Sequence, residues 1–228
     1  LDRADAYIVA MTPRADRSGL MGIAAGARQG LAVVALARGE LNEVDALIQH
    51  VQDLAGDDPM YARGVPWQRG VLAHWRGEPD VMVSIWRQIS PFNPYPRLGA
   101  AALGVALADL GDLGGAQAEF DAAYADGPAS VGRDWTYTGT IGALAELAAR
   151  LGREREAAEL DTILEPFDGQ FLLDTCIHLR GSVAWLRAGL AACTGNLEEA
   201  IERYRRAEEF EATQGAHALL ARTRVDLA

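Results

Sequence analysis

The chain contains no lysine, so all 21 of its basic residues are arginine. That absence excludes a Walker-type phosphate lysine and Schiff-base chemistry within these 228 residues. Aromatic residues are sparse at 7% while alanine and leucine abound, a balance that favours closely packed helices over sheet. The two cysteines, Cys176 and Cys193, are too few for a disulfide framework. On a single helix they would lie roughly 25 Å apart at ~1.5 Å rise per residue, beyond any bridge. Both read as free thiols in a reducing cytoplasm. No apolar run approaches the ~20 residues of a membrane span; the longest is Leu98 to Ala108. Asp2, Arg3 and Asp5 interrupt any apolar start, so no signal peptide is evident. These absences together predict a soluble, cytoplasmic protein with no membrane contact.

The formal net charge of −11 repels phosphate backbones and argues against direct nucleic-acid contact by this segment. It suits solubility or, alternatively, a basic partner. Half the residues are hydrophobic, so a core can be buried.

What the chain does have is a rhythm. Gly39, Gly77, Gly111, Gly152 and Gly195 each occupy the same pattern. Seven residues before each stands a small residue: Ala32, Gly70, Gly104, Ala145 and Ala188. Five residues after each comes Val44, Met82, Ala116, Ala157 or Ala200, and twelve after comes Val51, Ile89, Ala123, Leu164 or Ala207. Small residues at these offsets let two antiparallel helices approach closely while the glycine takes the turn between them. Successive turn glycines are 38, 34, 41 and 43 residues apart, near the tetratricopeptide period. The predicted fold is therefore all-α, a right-handed superhelix of tetratricopeptide-like helix pairs (an α-solenoid). It forms a single array over 1–228 with about five pairs and a partial helix at each end.

Breakers fall where new units should begin: Gly56 to Pro59, Pro91 to Pro96, Gly127 to Pro128 and Pro166 to Gly169. Acidic residues just after the turn glycines, such as Glu43, Asp80, Asp112, Glu154 and Glu198, complement the dipoles of the second helices. Leu1 to Met11 reads as the tail of an earlier helix closed by Pro13, and His217 to Ala228 as the opening of a sixth first helix. With no initiator methionine and no polar capping helix, the expectation is a fragment of a longer protein.

The last third of the chain resembles a known family. The residues that carry the likeness are Gly181-Ser182-Val183 leading to Leu186 and Leu190-Ala191, then Gly195 with Glu199-Ala200. Gly215-Ala216, Leu220-Ala221-Arg222-Thr223-Arg224 and Asp226-Leu227-Ala228 follow. Together, Leu144 to Ala228 is similar to the C-terminal helical region of large actinobacterial regulators. These join a signal-transduction ATPase to a LuxR-type DNA-binding domain, a nucleotide cyclase domain, or both. Arg187, Cys193 and the longer, more polar Gly181 region depart from the pattern, and the first 140 residues share only the repeat periodicity. The resemblance implies a sensor or regulatory module that binds a protein or a small-molecule inducer.

No catalytic constellation emerges. His50, His74, His178 and His217 are scattered without metal-ligand spacing. Pro128 to Gly132 lacks the first glycine of a nucleophile elbow and reads as an inter-repeat loop. Gly19, Gly22 and Gly26 follow no strand, so helix packing accounts for them better than a phosphate loop. Asp57-Asp58 and Glu208-Glu209 read as solvated faces. The expectation is a non-enzyme with no metal and no cofactor.

If the first helix of each unit lines the concave surface, the inward-facing set is Gln29, Trp67, His74, Trp75, Asp109, Glu146, Arg150, Trp185 and Cys193. Three of the five tryptophans fall on this face. They serve either as binding anchors or as fillers between repeats with alanine neighbours. Arg150 and Glu146 read as an i,i+4 helix pair. Two functions follow. One is the ligand-binding sensor of a multidomain transcriptional regulator. The other is a stand-alone scaffold that captures a peptide or partner protein. A homo-oligomer is compatible with either.

Overall fold

The computed structural model describes residues 1–56, 59–90, 94–174 and 178–228. Among them are twelve helices: α1 (Asp2–Arg17), α2 (Met21–Arg38), α3 (Leu41–Ala55), α4 (Pro59–Trp75), α5 (Pro79–Ile89), α6 (Pro96–Asp109), α7 (Leu113–Tyr124), α8 (Tyr137–Leu151), α9 (Glu154–Leu164), α10 (Val183–Cys193), α11 (Leu197–Thr213) and α12 (His217–Leu227). One antiparallel hairpin, β1 (Phe171–Asp174) and β2 (His178–Ser182), interrupts the helical order. Among the described residues the regular structure is thus helical but for that hairpin. No helix among the described residues is long and apolar enough to cross a membrane.

The five turn glycines carry φ angles of 67° to 86°, the left-handed region that closes a helix. Gly39, for example, sends its N–H back to Leu36 O at 3.0 Å. The small residues around them are buried as the spacing requires. Ala32, Ala145 and Ala188 are at most 2% exposed, and Ala116, Ala157 and Ala207 are at 0%. Asp112 caps α7 by accepting from Gly115 N at 2.9 Å. Within each pair the helices pack on each other (α2 on α3, α6 on α7, α10 on α11), and each pair then meets the next. One apolar cluster runs from Ala25 to Ala207.

Four local expectations are corrected. Pro13 does not end α1, which continues to Arg17. The missing N–H costs one backbone bond on an otherwise exposed helix, and Thr12 Oγ1 donates to Ile8 O at 2.9 Å beside it. Gly19 is a turn residue with φ 68°, and a Cβ on Gly26 would meet open space, so helix packing does not explain that glycine. Residues 171–174 and 178–182 form the two strands of the hairpin rather than helix. α10 therefore begins only at Val183, so the helix that carries Cys193 does not extend back to position 176. Cys176 itself lies outside the described residues, as do Asp57 and Asp58.

The array curls until its last helix meets its second. Val33 and Ala37 of α2, Leu179 of β2, and Ala216 and Leu219 of α12 form a separate buried cluster. The N-terminal amine also reaches Gln214 Oε1 at 3.1 Å. The hairpin sits inside this curl, against α8, α2 and α11.

Candidate functional site

The curl brings the first helices of successive pairs toward one centre, and the centre is charged. His74 Nδ1 on α4 lies 3.0 Å from Asp109 Oδ2 on α6. Arg150 on α8 also contacts Asp109 and donates to Glu146 Oε1 at 2.6 Å. Arg180 on β2 donates to Glu146 Oε2 and to Asp174 Oδ2, each at 2.5 Å. His178 Nδ1 completes the chain, 3.1 Å from Asp174 Oδ2. Sequence spacing identifies His74, Asp109, Glu146 and Arg150, and the structure joins these four. The Glu146–Arg150 pair forms, but as part of a network across three helices and the hairpin.

The hairpin supplies the rest because of a bulge. Leu172 pairs with Gly181 and Leu173 with Leu179, which leaves Arg180 as the extra residue; bulges re-aim side chains in this way. Arg180 and Glu146 side chains are 4% exposed and Asp174 is at 0%. Burial opposes the Asp174 charge, but Arg180 and His178 overcome it and hold the carboxyl below its usual range. Burial also opposes charge on Arg180, yet Asp174 and Glu146 raise its pKa. Burial lowers His178 despite Asp174, and lowers His74 to about 4 with Arg150, Arg222 and Arg180 adding to the effect against Glu146. Both imidazoles are therefore neutral near pH 7. His178, read from sequence as one of four scattered histidines, is instead a buried member of the network.

Two hollows flank the network. The inner one, of about 20 Å³, is bounded by Trp67, His74, Trp86, Asp174, His178, Arg180, Glu146 and Arg222 among others and is the size of a single water. Trp67 is 7% exposed and meets Trp86 edge-on with centroids 4.1 Å apart. It packs in the core between α4 and α5. The indole N–H groups of Trp67, Trp75 and Trp86 are shielded and have no acceptor among the described residues.

The outer hollow is a cleft of about 610 Å³ between α8, α10, α11 and α12, open to solvent. Glu146 and Arg222 line both hollows and so stand between them. Ala149, Leu186, Gly189 and Ala192 supply apolar wall; Arg150, Tyr204, Cys193 and Asp226 supply polar groups. Trp185 forms the floor. Its Nε1 donates to Asp226 Oδ2 at 2.7 Å, and the Arg222 guanidinium lies 3.5 Å from its ring centroid. Burial lowers Arg150 to about 10, with Arg222 and Arg180 contributing, so it stays charged at neutral pH. Burial raises the Cys193 thiol and pushes the Tyr204 hydroxyl up to about 12. Cys193 Sγ sits 3.8 Å from Ala148 O. Gln29 is half-buried on α2 and bounds neither hollow. Trp75 is half-buried under Arg222, 5.4 Å from its ring.

Sequence reasoning misses Asp174, Arg180, Arg222, Tyr204 and Asp226. One signal exists: Gly152 and Gly195 are 43 residues apart against a shortest spacing of 34, and the excess holds the hairpin. Gly181 is a second signal. A Cβ there would collide with the Arg222 guanidinium, so only glycine lets Arg222 Nη2 donate to Arg180 O at 2.8 Å. Arg187, a departure from the apolar pattern, is buried and bonded by Nε to Asp161 at 2.8 Å. Among the described residues no group of three His, Cys, Asp or Glu side chains is placed to hold a metal ion. Comparison with family models, curated proteins and solved structures finds no match.

Proposed function

We propose that this chain is a ligand-binding module built as a tightly curled, right-handed superhelix of tetratricopeptide-like helix pairs. In this reading it is a non-enzymatic, cytoplasmic sensor or regulatory region of a larger transcriptional regulator with an ATPase. The observation that carries the binding reading is the cleft of about 610 Å³, within the ~300–1,000 Å³ range of small-molecule sites and lined by apolar wall with a few convergent polar groups. The charged centre behind it supports the same reading. A repeat array selected for stability alone fills its centre with aliphatic side chains, because buried ion networks return little net stability. The regulator context draws on the resemblance of Leu144 to Ala228 to such proteins.

A thermal-shift screen against a chemically mixed small-molecule library tests the proposal, run in parallel on Ala192→Phe. Ala192 is half-exposed on the cleft wall, so phenylalanine there fills the cleft at little cost to the core. Stabilising compounds that lose their effect in the variant support the cleft; compounds that act equally on both proteins refute it.

The scaffold reading rests on a different observation. Tyr7, Val9 and Met11 of α1, with Leu20, Met21 and Ile23 at the start of α2, are 48–69% exposed. Exposed apolar side chains on the neighbouring helices α1 and α2 suit a partner protein. Glu or Arg substitutions at Met11 and Ile23 that abolish capture of a partner, with the cleft variant silent, would favour it.

A further inference from the structure

Resting on the reading of the cleft as a small-molecule site, we infer that its ligand is a small organic monocarboxylate whose carboxylate pairs with Arg222. The other buried arginines around the centre are already matched. Arg180 lies between Asp174 and Glu146, Arg150 between Glu146 and Asp109, and Arg187 and Arg203 share Asp161. Arg222 alone of this group forms no ion pair with a carboxylate among the described residues. Its Nη2 donates to the Arg180 carbonyl, its Nε is shielded without an acceptor, and its Nη1 makes no hydrogen bond. Trp185 covers one face of the guanidinium at 3.5 Å, which fixes its plane and leaves Nη1 to donate to a carboxylate.

Glu146 and Asp226 on the cleft disfavour a ligand with more than one negative charge. Arg150 is in ion-pair contact with Glu146 and Asp109, whereas Arg222, the other cation on the cleft, has no such contact among the described residues. A dianion such as phosphate would place its second charge near Glu146 and Asp226, which also line the cleft. Burial depresses the pKa of Arg222, and an anion beside it reverses that penalty. The body of the ligand is apolar, since Ala149, Leu186, Gly189 and Ala192 face it. Tyr204, whose hydroxyl has no hydrogen-bond partner among the described residues, is free to donate to a second ligand oxygen. Glu146 and Arg222 separate the cleft from the inner hollow and close the site on that side.

The test is calorimetric titration of the whole chain with 1-naphthoate, indole-3-acetate and decanoate, each against its neutral amide, and with inorganic phosphate. At least one acid should bind about tenfold or more tightly than its amide, the scale of a charge-assisted pair, and phosphate should bind weakly. Arg222→Lys should keep part of the preference and Arg222→Met should abolish it. If Arg222→Met fails to fold, the acid-to-amide ratio of the unaltered protein decides. Equal binding of acid and amide, phosphate binding as tight as that of the acids, a preference that survives in folded Arg222→Met, or no binding by any acid overturns the inference. Ala192→Phe separates the two levels. Equal binding of acid and amide that this variant abolishes removes the carboxylate and keeps the cleft. Binding that ignores the variant removes the cleft itself.

Discussion

The rim of the molecule and its centre are held together by different means. On the rim, helix pairs meet through an alanine or glycine 7 residues before each turn glycine and through small or apolar side chains 5 and 12 after it, with almost no polar group involved. At the centre, Asp109, Glu146, Arg150, Asp174, His178 and Arg180 come from α6, α8 and the hairpin and are joined by hydrogen bonds and ion pairs. The rim is local and repeats, so each pair is stable against its neighbour. The centre is made once, from residues far apart in sequence, and exists only when the curl is complete. A charged centre adds little stability over aliphatic packing, and it borders the cleft.

The largest effect should come from stranding charge at the centre. Arg180→Met leaves Asp174 and Glu146 buried without their shared cation and should cost about 3–5 kcal/mol in urea unfolding. Adding Asp174→Leu and Glu146→Leu should recover most of that loss; no recovery would mean that the network itself stabilises the fold. The rim breaks by volume instead. A Cβ on Gly104 of α6 would run into the Leu147 side chain of α8, and Gly104→Ala should cost about 1–3 kcal/mol by overpacking. On α7, the Cβ of Gly114→Ala finds only Asp112 Oδ1, 3.9 Å away, and that change should stabilise by roughly 0.5–1 kcal/mol.

The centre should also answer to pH where the rim does not. His74 is held at about 4 by burial against ~6.5 when unfolded. The unfolded chain therefore binds the proton first as pH falls. The stability that neutral His74 supports is complete above pH ~6.5 and drains away toward pH 4, with a slope of up to about 1.4 kcal/mol per pH unit. His178, also lowered by burial, acts in the same direction. Asp174, held low, adds its own loss only as acid reaches the carboxylate range. His74→Gln should flatten the slope between pH 6.5 and 4, measured by urea midpoints at fixed ionic strength. The smallest effect belongs to the outer surface: Arg224→Ala removes the pair to Glu208 at 2.8 Å and should change stability by less than about 1 kcal/mol.

The rim was legible because its physics is local. A turn glycine and small residues at set offsets are requirements of one helix pair, and the repetition made them visible. The same offsets also put His74, Asp109, Glu146 and Arg150 on the inward side of α4, α6 and α8. The hairpin was not legible. Its strands have four and five residues, and its short polar and apolar alternation carries no period long enough to stand out beside helices. Trp67 could be read as anchor or filler from its face alone; only the position of Trp86 against it places it in the core. Arg222 was visible as part of a motif, but its unmatched state depends on where every carboxylate ends up, which no spacing encodes.

The most direct test is a crystal structure of the protein with the acid that binds best among those titrated. Electron density for that compound is expected between α8, α10 and α12, its carboxylate on Arg222 and its body against Ala149, Leu186 and Ala192. Density elsewhere, such as on the exposed apolar side chains of α1 and α2, or a compound seated in the cleft with its carboxylate turned away from Arg222, would contradict this assignment.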